Sequence, residues 1–266
     1  MKPLQQIECF LLDMDGTIYL GGELIDGAKE FLELLKEQNR RTIFLTNNSS
    51  KNAADYEAKL KKLGIEASTD EIFTSGEATA KTLQLRHPGA KVFLMGTPAL
   101  ESVFLDHGFT LVKDRDQEAD LVVLGFDTTL TYDKIWQACD RIREGAVYYA
   151  THPDFNCPLA GGKWMPDTGA MIKMIEGSTG MLPEVIGKPE KTMIEAVSAK
   201  FDVDLTKIAM VGDRLYTDIR MGEVAGITSI LVYSGETTPE DYEASEIEAS
   251  FVFDSVKELA QALKEA

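Results

Sequence analysis

Short apolar runs alternate with helical patterns along almost the whole 266-residue chain. That alternation points to a parallel sheet with crossover helices. Residues 7–12, 42–45, 208–211, 229–233 and 251–253 read as strands, and 185–186 as a shorter candidate. Between them, Asp26 is placed to cap a helix with Ala28, Phe31, Leu32 and Leu35 on one face. Ser50 is placed to cap another with Ala53, Tyr56, Leu60 and Leu63, stopped by Gly64. Pro189 suits the first turn of a helix carrying Met193, Ile194 and Val197. The middle of the chain repeats the pattern more compactly. Strands are expected at 91–95, 109–112, 121–125 and 147–150, with helices at 98–107 and 130–143, as two β-α-β units.

Polar residues fall where the strands end. The first strand runs into Asp13-Met14-Asp15-Gly16-Thr17 and the second into Thr46-Asn47-Asn48-Ser49-Ser50. Val185-Ile186 leads to Gly187-Lys188-Pro189, and 208–211 leads to Gly212-Asp213-Arg214-Leu215-Tyr216-Thr217-Asp218. In an open parallel sheet, ligands bind beyond the carboxyl ends of the strands. Convergence there would gather carboxylates, a hydroxyl, amides and an ammonium group. A carboxylate can attack phosphorus to form an acyl phosphate. A second one, two residues on, can protonate the leaving oxygen and then deprotonate water. Clustered Asp residues need a cation, and Mg²⁺ accepts a small set of oxygen ligands. Thr46 and Lys188 suit phosphoryl oxygens, Lys188 by neutralising charge.

Other chemistries are poorly served. Counting from Asp13, an EF-hand fails at Ile18, where Gly is needed, and at Leu24, where Glu is needed. Lys163 and Lys188 follow Gly but make no Walker A motif, and His87, His107 and His152 form no HExxH pair. No Gly-x-Ser-x-Gly elbow occurs, and Cys157 has no paired His pattern. Cys9, Cys139 and Cys157 are odd in number and widely spaced, so no disulfide framework is expected. With 27 Lys and Arg against 44 Asp and Glu, the formal charge is −17, which opposes binding to nucleic acid or an anionic membrane. The first residues show no signal peptide, and no run approaches the ~18 apolar residues of a membrane span. A cytoplasmic location follows as the expectation, with homo-oligomer formation left open. The acidic stretch 236–248 reads as a solvated loop and helix face.

The motif set resembles the haloacid dehalogenase superfamily of phosphatases, through Asp13-Met14-Asp15-Gly16-Thr17, Thr46, Lys188 and Gly212-Asp213 with Asp218. The strings Leu45-Thr46-Asn47-Asn48-Ser49, Ala150-Thr151-His152-Pro153-Asp154 and Gly187-Lys188-Pro189 look similar to its NagD-like, nitrophenyl-phosphatase-like members. The resemblance covers nearly the whole chain. It implies an α/β fold, a Rossmann-like parallel-sheet core with a large inserted α/β cap. The separation of 188 − 46 = 142 positions between Thr46 and Lys188 leaves room for the cap, placed at 80–181, with the core at 1–79 and 182–266. It further implies Asp13 as nucleophile and Asp15 as general acid/base. Mg²⁺ would be held by Asp13, the backbone carbonyl of Asp15, and Asp213, with Asp218 in support. Thr46, Asn47 and Lys188 would bind phosphate. Dehalogenases of the superfamily lack the second Asp, so Asp15 favours phosphoryl chemistry.

The implied activity is Mg²⁺-dependent hydrolysis of small phosphorylated metabolites: sugar phosphates, nucleoside monophosphates, nitrophenyl phosphate. Discrimination among esters is expected from cap residues His152, Asp154, Asn156 and Asp167, the last standing where many relatives have Gly or Ala. The rival readings are a phosphomutase on the same core, a phospho-accepting receiver module, and a catalytically silent binding protein. The strand-ending Asp-x-Asp and the long insert disfavour the receiver; no member of the chemical set is missing, which disfavours the last.

Overall fold

A computed structural model of the chain describes residues 3–159 and 162–265. Two compact units are present. The larger takes the chain through Thr46, Tyr56–Phe73, and everything from Lys188 on; the smaller takes Asn47–Asp55 and Thr74–Gly187. Residues 160 and 161 of the expected insert lie outside the described residues.

The larger unit is built on a six-stranded sheet in the order Phe251–Phe253, Thr228–Val232, Ile208–Gly212, Cys9–Leu12, Arg41–Thr46, Ile72–Thr74. Numbered along the chain, that order is 3-2-1-4-5-6 read from the other edge. It is the doubly wound Rossmann order, not the 2-1-3-4-5 order of flavodoxin-like receivers. Leu12 lies beside Val211 on one side and Phe44 on the other, both parallel. All four residues of Cys9–Leu12 and all five of Ile208–Gly212 are buried. Such strands are covered on both faces, which is why they read as unbroken apolar runs without alternation. The strand order reverses between Cys9–Leu12 and Ile208–Gly212, and the ends of these two strands flank the crevice where such sheets bind ligands.

Helix Ala28–Glu37 buries Ala28, Phe31 and Leu35, as the spacing predicts, but Leu34 joins them in place of Leu32, which is half-buried. Its cap differs from expectation. Gly27, at φ 78°, precedes the helix, and no side chain caps it. Asp26 instead pairs with Lys257 at 2.7 Å on helix Val256–Glu265. A Cβ on Gly27 would sit 2.5 Å from the Lys257 Cβ, so close packing of the two helices selects glycine there. Helix Ala53–Lys62 opens on Asn52, whose Oδ1 accepts from the Asp55 amide at 3.0 Å; Ser50 bonds Asn48 instead. Helix Lys191–Phe201 buries Met193, Ile194 and Val197, starting after Pro189.

The smaller unit has its own parallel sheet, ordered Glu184–Val185, Val147–Ala150, Leu121–Leu124, Lys91–Met95, Thr110–Leu111. Phe93, Met95, Val122, Leu124, Ile172 and Ile175 are among its core residues. Residues 185–186, expected to feed the first sheet, contribute here, with Val185 beside Ala150. Strands of two residues carry too little pattern to choose a partner. An antiparallel hairpin, Asn156–Leu159 with Lys163–Pro166, precedes helix Thr168–Thr179. No helix among the described residues is long and apolar enough to cross a membrane.

Candidate active site

Asp13 continues the first strand: its amide donates to Val211 O at 2.9 Å. Asp213 follows the neighbouring strand Ile208–Gly212, so the two carboxylates leave adjacent parallel strands at the switch point. Met14 is 1 % exposed, whereas Asp13 and Asp15 on either side of it are only half-buried. Exposure thus alternates along this exit, and both acids keep part of their surface open. The chain then turns back tightly. Met14 O accepts from the Ile18 amide at 2.9 Å and the Tyr19 amide at 3.1 Å, and the Gly16 amide donates to Tyr19 O at 2.7 Å.

Lys188 is 1 % exposed. Its Nζ donates to Asp13 Oδ1 at 2.6 Å, to Asp218 Oδ1 at 2.7 Å, and to Leu45 O at 3.3 Å. The second oxygen of Asp218 accepts from the Arg214 amide at 3.2 Å. Both Asp218 oxygens are thus occupied, and its carboxylate serves as a fixed counter-charge that aims the ammonium at Asp13. A π-helical turn over Leu215–Ile219 folds Asp218 back onto its own strand end. A Cβ on Gly212 would lie 2.3 Å from the Asp218 Cγ. Glycine is required there by close approach, not by backbone angle.

Asp213 is 2 % exposed. The loop after Thr228–Val232 wraps it: the Glu236 amide donates to Oδ2 at 2.6 Å, and the Thr237 amide to the Asp213 carbonyl at 3.2 Å. Ser234 donates to Gly16 O at 2.7 Å, tying this loop to the first turn. Sequence reasoning missed Ser234, Gly235 and Glu236. Their signal was the same as for the others, polar residues directly after an apolar strand, yet Glu236 was grouped with a solvated acidic face. In the structure its carboxylate pairs with Arg214 at 2.9 Å; the segment beyond it is largely exposed as expected. Cβ atoms on Gly16 and Gly235 would meet Asp213 Oδ2 at 2.4 and 2.0 Å.

The electrostatics are those of too many acids for one lysine. Burial drives the Asp13 carboxyl up to about 7, against the pull of Lys188 and with a push from Asp218. Burial raises Asp213 well above the carboxylate range, with Asp13 adding repulsion. Burial opposes the Lys188 ammonium, but Asp13 and Asp218 outweigh it, and the group is held protonated. One more cation is what this cluster requires. Carboxylate oxygens of Asp13, Asp213 and Asp218 lie within 4.8 Å of one another, and Asp213 Oδ1 is buried without a hydrogen-bond partner. An all-oxygen donor set with an orphaned carboxylate oxygen fits a hard divalent cation such as Mg²⁺. Asp13 and Asp213 have oxygens to give it.

Thr46 ends strand Arg41–Thr46, 8 % exposed, and Asn47 begins the smaller unit. The four residues expected to read the ester divide. Asn156 is exposed at the start of its hairpin. His152, Asp154 and Asp167 are buried, at 0, 2 and 4 % exposure, among polar partners of their own unit. Asn47 Nδ2 donates to Asp154 Oδ2 at 2.9 Å, and His152 Nε2 lies 2.9 Å from Asp167 Oδ1. Asp167 also caps helix Thr168–Thr179 through the Thr168 amide at 2.6 Å.

This fold and this acid–lysine cluster define a class, and comparison with known proteins agrees. Residues 10–110 match the haloacid dehalogenase-like hydrolase family model, and 185–259 match a second HAD-hydrolase-like one. An acid sugar phosphatase of Staphylococcus saprophyticus is 36 % identical over 98 % of this chain and 100 % of its own. The crystal structure of a 4-nitrophenylphosphatase from Thermotoga maritima is 50 % identical, with TM-score 0.93 and 98 % of each chain covered. A glycerol phosphate phosphatase of Mycobacterium tuberculosis, solved in complex with magnesium, is 31 % identical, with TM-score 0.90 over 98 % of this chain and 78 % of that one. The chain belongs to the haloacid dehalogenase-like hydrolases, in their NagD-like, nitrophenylphosphatase-like branch.

Proposed function

We propose that this chain hydrolyses small phosphomonoesters in two steps through a phosphoryl group carried on Asp13, with Mg²⁺ as its cofactor. The observation that carries the reading is the ion pair of buried Lys188 with half-buried Asp13 at 2.6 Å, beside an Asp213 oxygen left without a partner. In the first step an Asp13 oxygen bonds to phosphorus as the ester P–O bond breaks. Asp15 gives its proton to the departing oxygen. In the second, Asp15 takes a proton from water, whose oxygen attacks phosphorus and releases phosphate and the Asp13 carboxylate. Lys188 favours the anionic form of Asp13 against the cost of burial and meets the phosphoryl charge after attack; the Thr46 hydroxyl and the adjoining amide of Asn47 bind phosphoryl oxygens. When bound, Mg²⁺ supplies the positive charge that the carboxylates and phosphoryl oxygens need, with Asp13, the Asp15 carbonyl and Asp213 as its protein ligands.

The substrate class is a small phosphomonoester, of the kind that the sugar, glycerol and nitrophenyl phosphates in the relatives' names exemplify. The test is phosphate release from an ester panel by chelated protein re-supplied with Mg²⁺. Rapid quenching should trap an acid-stable, base-labile phosphoryl group on Asp13, absent in Asp13→Asn. Absence of release from every ester, or labelling elsewhere, refutes the reading. Turnover of nitrophenyl phosphate separates a hydrolase from a mutase.

A further inference from the structure

The smaller unit contains a continuous chain of buried polar groups that the proposed chemistry does not use. The Phe126 amide donates to Ser49 Oγ at 2.9 Å, and Ser49 Oγ lies 2.9 Å from Thr151 Oγ1. Thr151 Oγ1 lies 2.9 Å from His152 Nδ1, and His152 Nε2 is 2.9 Å from Asp167 Oδ1. Ser49, Thr151 and His152 are fully buried. Asp167 Oδ1 also receives the Thr168 amide and hydroxyl, so it acts as an acceptor and His152 Nε2 donates to it. A neutral imidazole then accepts at Nδ1 from Thr151, Thr151 accepts from Ser49, and Ser49 accepts from the Phe126 amide. Each proton has one place, and the bonds reinforce one another.

Residues 151–154 also grip the two points where the chain passes to the larger unit's phosphoryl-binding residues. Asp154 holds the Asn47 side chain at 2.9 Å. The Ser75 hydroxyl, 3.4 Å from His152 Nδ1, donates to the Asn47 carbonyl. The Gly187 amide donates to Thr151 O at 2.8 Å, and a Cβ on Gly187 would lie 2.4 Å from that oxygen. Asn47 directly follows Thr46, and Gly187 directly precedes Lys188.

We propose that His152, oriented by Asp167, is a positioning residue that sets the backbone leaving Thr46 and entering Lys188. This rests on reading Thr46 and Lys188 as the phosphoryl-binding residues. Small displacements of such groups lower rate steeply. Truncating the imidazole leaves Thr151 and Asp167 with broken bonds and frees Ser75 from one neighbour.

The experiment compares His152→Ala, the milder Ser75→Ala, and His152→Gln, which keeps a donor and an acceptor. With nitrophenyl phosphate, His152→Ala should lower kcat/KM by about tenfold to a hundredfold and weaken competitive inhibition by inorganic phosphate. Ser75→Ala should move both in the same direction, and His152→Gln should recover most of the loss. In a Thr46→Ala background, the His152→Ala change should cost less than about twofold, because what it positions is gone. Hydrogen–deuterium exchange should accelerate at 46–49 and 186–188 in His152→Ala, and not in Cys139→Ala, a core truncation elsewhere in the same unit. A lowered Tm with unchanged kcat/KM, full additivity with Thr46→Ala, or unaltered exchange in those two segments would overturn the proposal. If the wild type hydrolyses no ester, the phosphatase reading fails on its own, and the exchange comparison still decides the positioning role.

Discussion

Replacing Lys188 by Met removes the charge and keeps most of the volume. The ammonium is buried and holds Asp13 at 2.6 Å and Asp218 at 2.7 Å. Breaking a buried pair from one side typically costs about 3 to 5 kcal/mol. A second route to the magnitude gives a pH signature. Without Lys188, one carboxyl more than in the wild type must take up a proton for the unit to fold. For a carboxyl with an ordinary value of 3.8, that uptake costs at most (7.0 − 3.8) × 1.36, about 4 kcal/mol, at pH 7. At pH 5 the same product is about 1.6 kcal/mol. The sign follows from linkage: the folded carboxyl is raised, the folded state holds the extra proton, and stability is lost as pH rises above the unfolded value. Thermal unfolding of chelated Lys188→Met and wild type at both pH values measures it, at about 2 to 4 °C per kcal/mol for a chain of this size. The deficit should be near 4 kcal/mol at pH 7 and less than half that at pH 5. A deficit below about 1 kcal/mol, or one equal at both pH values, would refute the view of Lys188 as the counter-charge of two buried acids.

Other outcomes follow from the same geometry. Chelated wild type should lose stability as pH rises from about 4 towards 7, because folded Asp13 is raised to about 7; millimolar Mg²⁺ should restore it at the upper end, read as Tm with and without chelator. Asp15→Asn should slow sugar phosphates far more than nitrophenyl phosphate, whose leaving group departs with little protonation, and the phosphoryl-enzyme should persist in quenched samples. Equal losses for both ester types would contradict the acid/base role. Gly212→Ala, with its Cβ 2.3 Å from Asp218 Cγ, should displace Asp218, lower stability by about 1 to 3 kcal/mol, and depress kcat through Lys188, as kinetics and Tm together would register.

Much of this protein was legible along the chain. Ile208–Gly212 and Cys9–Leu12 read as strands because a strand buried on both faces must be apolar at every position. Asp13 and Asp213 stood out because charge directly after such a run is costly unless it is used, and Asp15, Lys188 and Asp218 because they completed the same set of groups near strand ends. Helix Ala28–Glu37 followed from its spacing alone. These are local facts, set by neighbours a few residues away. What only the folded chain decided depends on partners distant in sequence. The pair Val185 and Ala150 placed a two-residue strand in the second sheet. Gly235 and Glu236 turned out to wrap Asp213, 23 positions before Glu236. His152, Asp154 and Asp167 were expected to discriminate among esters; what the folded chain adds is their buried partners, Asp154 meeting Asn47 from 107 positions away and the relay through Thr151 reaching Ser49 from 102. A polar residue reads the same in sequence whether it faces water or a buried partner. The difference is a desolvation cost that only the arriving hydrogen bond offsets, and that bond exists only once the distant segments have met.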